Sequence, residues 1–169
     1  YQRRVRGMQL PNSWQSYSKT LYGAIISELA VNEGVHQTNS KCITMGSNIG
    51  KKLVDELSLR FNQNILCFQD TLKLAEMAFI EYFHAQSSAK LISDKKIIIN
   101  FPLNSYEQQS SGQKISIPEK LTGLKYGNLI VGAVMGAYEH LNYKVQVTFQ
   151  TLQELHIDYI EKIQQIFGQ

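Results

Sequence analysis

Two cysteines are the side chains of this sequence with the greatest capacity for covalent chemistry. Cys67 lies between the bulky apolar residues Leu66 and Phe68, and Cys42 lies one helical turn before Met45. A thiol in such surroundings is typical of a small core residue. The alternative is that it carries an acyl chain, because a dry channel stabilises a chain by about 0.8 kcal/mol per buried CH₂. Cys67 is the main candidate for that attachment, and Cys42 is the competing one.

Other catalytic chemistry is scarce in the sequence. The four histidines form no i,i+4 metal pair, and no G-x-S-x-G, P-loop or H-E-x-x-H motif occurs. A hydrolase that used Cys67 with His84 would lack an orienting third group and an oxyanion motif. The sequence therefore predicts that the protein is not an enzyme, and it predicts no catalytic residue and no metal site.

Charge and composition narrow the class of protein further. The net charge of +3 comes from Arg3, Arg4 and Arg6, so the rest of the chain is neutral and no basic stripe favours nucleic acid. A short basic lead-in of this kind is usually solvated, although it could contact phosphate or anionic lipid. Two cysteines give no disulfide framework, which favours a reducing compartment. No signal peptide and no membrane span are predicted.

Reactive side chains are positioned by helices and strands. The most informative of the predicted elements is a central helix over about residues 125–141. Its core is nine nearly unbroken apolar or small residues, with Gly132 and Gly136 four apart on one face. A helix that is apolar all round is buried. A bare glycine face either lets another backbone approach closely or leaves room for a ligand, and close packing is the commoner use of such spacing.

Three helices are predicted before the central one. An extended arm over residues 1–12 precedes a single domain over 13–169, whose first helix begins near Ser13 and ends at Gly34. A second helix is expected from Asn39 or Ser40, and a third from Asp70 or Thr71. The apolar faces of the first two helices recur every three to four residues, and they contain Tyr17, Leu21, Ile25, Leu29, Met45, Ile49, Leu53 and Leu57.

The remaining segments follow a strand period. Residues 89–92 and 96–101 read as a hairpin, residues 114–117 as a short extended segment, and residues 143–149 alternate as a half-buried strand. A last strand is expected over about residues 156–161, running into a helical end over 163–167. Helices that are segregated from an antiparallel sheet make an α+β domain, here with about four helices on a small sheet.

Four segments carry a pattern more specific than periodicity. They read LYGAIISELAV in the first helix, MGSNIGKKLVDELSLR in the second, AEMAFIEYF in the third, and YGNLIVGAVMGAYEHLNYKVQVTFQ from the central helix into the next strand. Over about residues 15–163 the chain resembles the small core subunits of TRAPP, the transport protein particle, and within that family the Bet-three branch. MGSNIG and YGNLIVG are the most specific parts of the resemblance.

The resemblance implies a non-catalytic subunit of a vesicle-tethering complex in ER-to-Golgi transport. The assembled complex would promote guanine-nucleotide exchange on a Rab GTPase, and the subunit would be cytoplasmic and peripheral on cis-Golgi and ER-derived membranes. Its expected partners are other TRAPP small subunits, in a heterodimer or in a homodimer when it is alone. The dimer would form through the first two helices, which makes the apolar faces given above the candidate interface.

The resemblance also implies a hydrophobic channel with a covalently bound palmitate and no other cofactor. The acyl chain would be held as a thioester by a cysteine between the second and third helices, where Cys67 is the candidate. Ala75, Ala78, Gly132 and Gly136 are the candidates for the channel wall, because small residues leave volume for the chain. The alternative is a stand-alone sensory domain of the same fold that binds a small molecule.

Overall fold

The computed structural model describes the backbone of residues 12–61, 65–83, 87–100, 119–151 and 153–163, and the side chains within these ranges except those of residues 12–20 and 82–83. Most of the predicted N-terminal arm, the extended segment over 114–117 and nearly all of the predicted C-terminal helical end lie outside the described residues.

Four α-helices form one part of the fold. They are α1 (Asn12–Glu33), α2 (Val35–Phe61), α3 (Thr71–Phe83) and α4 (Asn128–His140). Short 3₁₀ turns at Phe68–Asp70 and Glu119–Leu121 precede α3 and α4, respectively. The four main predicted helices are all present, and the central helix is three residues shorter at its start than expected.

The start of α2 differs from the prediction. Gly34 adopts a φ of 90°, a left-handed conformation that ends α1 and suits glycine, and α2 begins at the next residue. Asn39, predicted as a helix start, lies in the second turn. Its side-chain NH₂ donates to the carbonyl of Gly123 (3.0 Å), and its side-chain oxygen accepts from the backbone N–H of Lys125 (2.9 Å). The amide therefore fastens the segment before α4 to α2.

An antiparallel sheet of four strands forms the other part of the fold. The strands are β1 (Ser88–Ser93), β2 (Lys96–Asn100), β3 (Tyr143–Thr151) and β4 (Glu154–Lys162), in the spatial order β1-β2-β4-β3. Their pairing places Ile97 opposite Ile157 and Ile99 opposite Leu155 on the middle strands, and all four side chains are fully buried. The predicted α+β architecture is confirmed.

The core lies between the inner face of the sheet and the helices. Phe68, from the 3₁₀ turn before α3, packs its ring against those of Tyr138, Tyr143 and Tyr159 at centroid distances of 5.2–6.1 Å. Such aromatic contacts add to the stabilisation from buried area alone. They fix the start of α3 against the end of α4 and the last two strands.

α2 and α4 run parallel in backbone-to-backbone contact. A Cβ added at Gly46 or Gly50 would overlap a carbonyl oxygen of α4, and one added at Gly132 or Gly136 would overlap a carbonyl oxygen of α2. On the exposed side, Lys51 and Asp55 of α2 pair with the last two residues of α4, Glu139 (2.9 Å) and His140 (2.8 Å). Glycine is required at these positions because any side chain would separate the two helices.

Candidate functional site

A cavity of about 270 Å³ lies between α2, α3, α4 and the inner face of the sheet. Because the α2 and α4 backbones touch along their glycines, the larger side chains beside that contact diverge and leave space next to α3. The residues around the cavity are Tyr22, Ile49, Gly50, Leu53, Val54, Leu57, Thr71, Leu74, Ala75, Ala78, Phe79, Ile99, Tyr126, Leu129, Ile130, Ala133, Val134, Ala137, Tyr138, Leu141 and Ile157.

The wall of the cavity is apolar apart from four hydroxyls, and no charged side chain is among the described residues around it. At the end next to the 3₁₀ turn, the Thr71 hydroxyl donates to the carbonyl of Phe68 (2.6 Å) and therefore accepts from the Tyr138 hydroxyl (2.9 Å). Burial raises the pKa of Tyr138, so its hydroxyl stays neutral. These hydroxyls satisfy each other, and the space between α2, α3 and α4 suits a hydrocarbon ligand.

Two tyrosines lie at the other end of the cavity. Tyr22, on α1, donates its hydroxyl to the carbonyl of Tyr126 (3.0 Å). The Tyr126 hydroxyl in turn pairs with the hydroxyl of Ser27 (2.8 Å). Both contacts join α1 to the segment before α4.

Cys67 is exposed and lies immediately before the 3₁₀ turn. The Asp70 carboxylate accepts from the backbone N–H groups of Cys67 and Leu66, each at 2.9 Å. The hydrogen bond from the Cys67 backbone contributes most to lowering the pKa of Asp70 below its usual range, and the one from Leu66 acts in the same direction. Cys67 is not among the residues around the cavity, but it directly precedes the buried Phe68 and lies one turn before Thr71, which borders the Tyr138 end.

Cys42 is in a different environment. It is only 1% exposed, on the side of α2 that faces α1. Burial raises the pKa of its thiol, and a hydrogen bond with Tyr22 opposes that effect in part. Since the thiolate is the nucleophilic form, Cys42 is poorly suited to covalent chemistry. The structure therefore favours Cys67 over Cys42 on access.

The comparisons with known proteins agree with this geometry. The family described as "Transport protein particle (TRAPP) component" matches residues 18–165. This chain belongs to the TRAPP component family. A trafficking protein particle complex subunit 3 homolog from Caenorhabditis briggsae is 29% identical over 133 residues, which span 73% of this chain and 70% of the relative.

A solved structure shares the fold of this TRAPP component. The crystal structure of a trafficking protein particle complex subunit 3 from Naegleria fowleri, covalently bound to palmitic acid, matches with a TM-score of 0.74 and 20% identity. The match covers 92% of this chain and all of the other. At this identity the likeness shows the fold, and the bound palmitic acid belongs to that protein.

Two of the four residues predicted to line a channel lie at the cavity of this TRAPP component. Ala75 and Ala78, on α3, are part of its wall. Gly132 and Gly136 are not among the residues around it, which corrects the prediction, because both are pressed against the α2 backbone at Ile43 and Ser47. Their neighbours Ala133 and Ala137 line the cavity instead. The sequence signal for these was the second pair of small residues, also four apart.

The predicted interface residues are divided between the surface and the core. Leu21, Ile25, Met45 and Ile49 are 42–50% exposed, and Leu29 and Leu53 are half-buried. Leu57 is only 3% exposed because it packs with Val54 and Leu74 between α2 and α3, which removes it from any partner-facing surface. The side chain of Tyr17 lies outside the described residues. We refer to Leu21, Ile25, Met45 and Ile49 as the α1–α2 apolar face.

Two histidines make contacts with carboxylates. His140 pairs with Asp55 (2.8 Å) and His156 with Glu154 (2.5 Å), whereas His84 lies outside the described residues. Within the described ranges, no group of three or more His, Cys, Asp or Glu side chains could hold a metal ion. In the same ranges, no helix is long and apolar enough to cross a membrane.

Proposed function

We propose that this TRAPP component is a non-catalytic core subunit of a vesicle-tethering complex in ER-to-Golgi transport. The α1–α2 apolar face carries this proposal, because four large apolar side chains exposed on adjacent helices are typical of a surface that a partner covers. The proposed partners are other TRAPP small subunits, in a heterodimer or in a homodimer when they are absent. The assembled complex would act on a Rab GTPase at cytoplasmic faces of ER-derived and cis-Golgi membranes.

Assembly is tested by placing charge on the α1–α2 apolar face. Ile25→Glu combined with Met45→Glu is expected to abolish co-purification of other small TRAPP subunits from the source cell, because a partner would have to bury two unpaired carboxylates. The measurement is size-exclusion chromatography of the tagged full chain, followed by mass spectrometry of everything in the peak.

Leu59→Glu is the matched control, since Leu59 is on α2, is 84% exposed and lies ten residues beyond Ile49, roughly 15 Å farther along the helix. It is expected to leave the particle intact. If the double variant still assembles like the control, or if the unmodified chain purifies with no small subunits of similar size, the proposal is wrong.

We further propose that Cys67 carries a fatty acyl chain, in the first instance palmitoyl, whose hydrocarbon lies in the cavity. An acyl-coenzyme A would be the donor. The Cys67 sulfur bonds to the acyl carbonyl carbon, the carbon–sulfur bond to coenzyme A breaks, and coenzyme A leaves as a thiol with the proton that Cys67 loses. The apolar wall between α2, α3 and α4 supports this proposal, together with the position of Cys67 one turn before Thr71.

The acyl proposal predicts a mass change that depends on a single thiol. Cys67→Ser is expected to remove the adduct completely from protein purified from its source cell, whereas Cys42→Ser retains it. Intact mass before and after neutral hydroxylamine, which cleaves thioesters, is the measurement. An adduct that persists in Cys67→Ser, or an unmodified wild-type mass, contradicts the proposal.

The second candidate function is a stand-alone sensory domain that binds a small apolar molecule without a covalent bond. The volume of the cavity supports this function, because about 270 Å³ is close to the roughly 300 Å³ of the smallest pockets that bind small molecules. A lone protein or homodimer that carries a non-covalent ligand in native mass spectrometry would establish this function in place of the first.

A further inference from the structure

The cavity has two ends of different construction. The first is next to Cys67, where Phe68 packs its ring 5.7 Å from that of Tyr138 and Thr71 borders the space. The second is at the opposite end of α4, where Tyr126 precedes the helix by two residues. The residues of α4 and its C-cap that line the space run from Leu129 to Leu141, so the ends are roughly 18 Å apart at 1.5 Å per residue.

Two aromatic rings from different parts of the chain border the second end of the cavity. Tyr22 belongs to α1 and Tyr126 to the segment before α4, and both are among the residues around the cavity. Their positions are fixed by the hydrogen bond from the Tyr22 hydroxyl to the Tyr126 carbonyl (3.0 Å) and by the contact of the Tyr126 hydroxyl with Ser27 (2.8 Å). We refer to Tyr22 and Tyr126 as the tyrosine end wall.

This end wall is built differently from the rest of the cavity. Along the sides, alanines such as Ala75, Ala78 and Ala133 leave volume, whereas the second end is bordered by the tyrosines of α1 and of the segment before α4. A hydrocarbon chain that enters from the Cys67 end passes Ala and Leu side chains before it reaches the two tyrosines. A longer chain has to displace a ring and separate hydrogen bonds that join α1 to the α4 approach.

We infer that the tyrosine end wall sets the maximum length of the chain that the cavity accepts. The inference rests on the proposed acyl function and adds a length limit to it, with Tyr22 and Tyr126 as specificity-determining residues. Chains that end before the rings bind with their full length buried. Chains that extend past them lose binding because the extra methylene groups are either exposed or forced against the rings.

The test compares chain-length profiles of the full chain and its variants. Purified protein is incubated with a stepped series of straight-chain acyl-coenzyme A, from dodecanoyl to docosanoyl, and the adduct is quantified by intact mass. In wild type, occupancy is expected to fall beyond one length. Tyr22→Ala and Tyr126→Ala are expected to shift that limit to longer chains, with roughly tenfold more occupancy for a chain two methylenes past the wild-type limit.

Two controls separate the end wall from general effects on folding. Val31→Ala changes another residue of α1 that is 52% exposed and is not among the residues around the cavity, so its profile is expected to match wild type. Tyr22→Phe keeps the ring and is expected to keep the limit. If Tyr22→Ala does not fold, Tyr22→Leu supplies a smaller side chain with the same apolar character and carries the same expectation.

A parallel measurement makes the result independent of the thioester. Cys67→Ser protein is mixed with free fatty acids of the same series and examined by native mass spectrometry. If chains bind here but never react in wild type, the acyl proposal fails, while the end wall is still supported by a shifted limit in the Tyr22→Ala double variant. Profiles that stay unchanged in Tyr22→Ala and Tyr126→Ala, or a cavity that binds no chain of any length, overturn the inference.

Discussion

Replacing Gly136 with alanine is expected to destabilise the protein by at least about 3 kcal/mol, a large share of the roughly 5–15 kcal/mol that stabilises an ordinary domain. The added Cβ would overlap the backbone of α2 at Ser47, including its carbonyl oxygen. Backbone atoms within a helix cannot move aside as the end of a flexible side chain can. Urea unfolding followed by circular dichroism measures the change in the free energy of unfolding.

Gly23→Ala is the matched control for this substitution. Gly23 lies within α1, and a Cβ there meets no atom within 4 Å. Because alanine is a better helix former than glycine, this variant is expected to be more stable by about 0.5–1 kcal/mol. If Gly136→Ala were as stable as Gly23→Ala, the prediction that Gly136 lies in close backbone contact with α2 would be contradicted.

The same contact explains why the cavity exists. Where the backbones of two helices touch, the neighbouring side chains of both helices point away from the contact. They therefore cannot fill the space on either side of it. On one side, Lys51 and Asp55 pair with Glu139 and His140 in solvent. On the other, α3 presents Ala75 and Ala78 at positions where larger residues would complete the core. The glycines therefore shape the cavity from a distance, although only Gly50 of the four borders it.

The fold was predictable because its signals are local. The period of 3.6 residues in α1 and α3 and the alternation in β3 identify those elements without knowledge of their neighbours. The start of α2 was not predictable in that way. Asn39 has the residue type of a helix cap, but it hydrogen-bonds to Gly123 and Lys125, more than eighty residues away, and a single left-handed Gly34 suffices to separate two helices.

The site was predictable in part, for a related reason. Ala75 and Ala78, which line the cavity, could be named from residue type and family resemblance because they lie on one helix, whereas the role of Cys67 stays a prediction. Whether a small residue borders a cavity or a backbone depends on which face of α4 meets α2, and Gly132 and Ala133 differ by only one position. The tyrosine end wall combines residues about a hundred positions apart, so no pattern within a window reveals it.

The position of Leu57 illustrates the limit of a helical stripe as evidence for an interface. The line from Met45 through Ile49 and Leu53 to Leu57 is regular in sequence, but the surface that it contacts changes along α2. Met45 is 49% exposed and Leu57 only 3%, because α3 covers the C-terminal part of the helix and leaves the N-terminal part open. On α2, the α1–α2 apolar face therefore ends at Ile49, near the middle of the helix.

Replacing Ala78 with leucine is expected to abolish chain binding while leaving the protein folded. Ala78 borders the cavity, so the added carbon atoms enter empty volume rather than a packed backbone, and filling a cavity of about 270 Å³ removes part of the space that a chain would occupy. The free energy of unfolding is expected to stay within about 1 kcal/mol of wild type, or to rise, because the new methyl groups gain contacts that the cavity lacked. Intact mass measures the adduct, and urea unfolding measures stability.

Lys73→Leu provides the matched control, since it adds a leucine to the exposed side of the same helix and is expected to leave the adduct unchanged. Full occupancy in Ala78→Leu would show that the chain lies elsewhere. Unfolding would show that Ala78 is packed as tightly as Gly136. Both substitutions enlarge a small residue, and the predicted outcomes differ because the new atoms meet a carbonyl oxygen at Gly136 and empty space at Ala78. Loss of binding with retained stability at Ala78, beside loss of stability at Gly136, is the combination that this arrangement of α2, α3 and α4 requires.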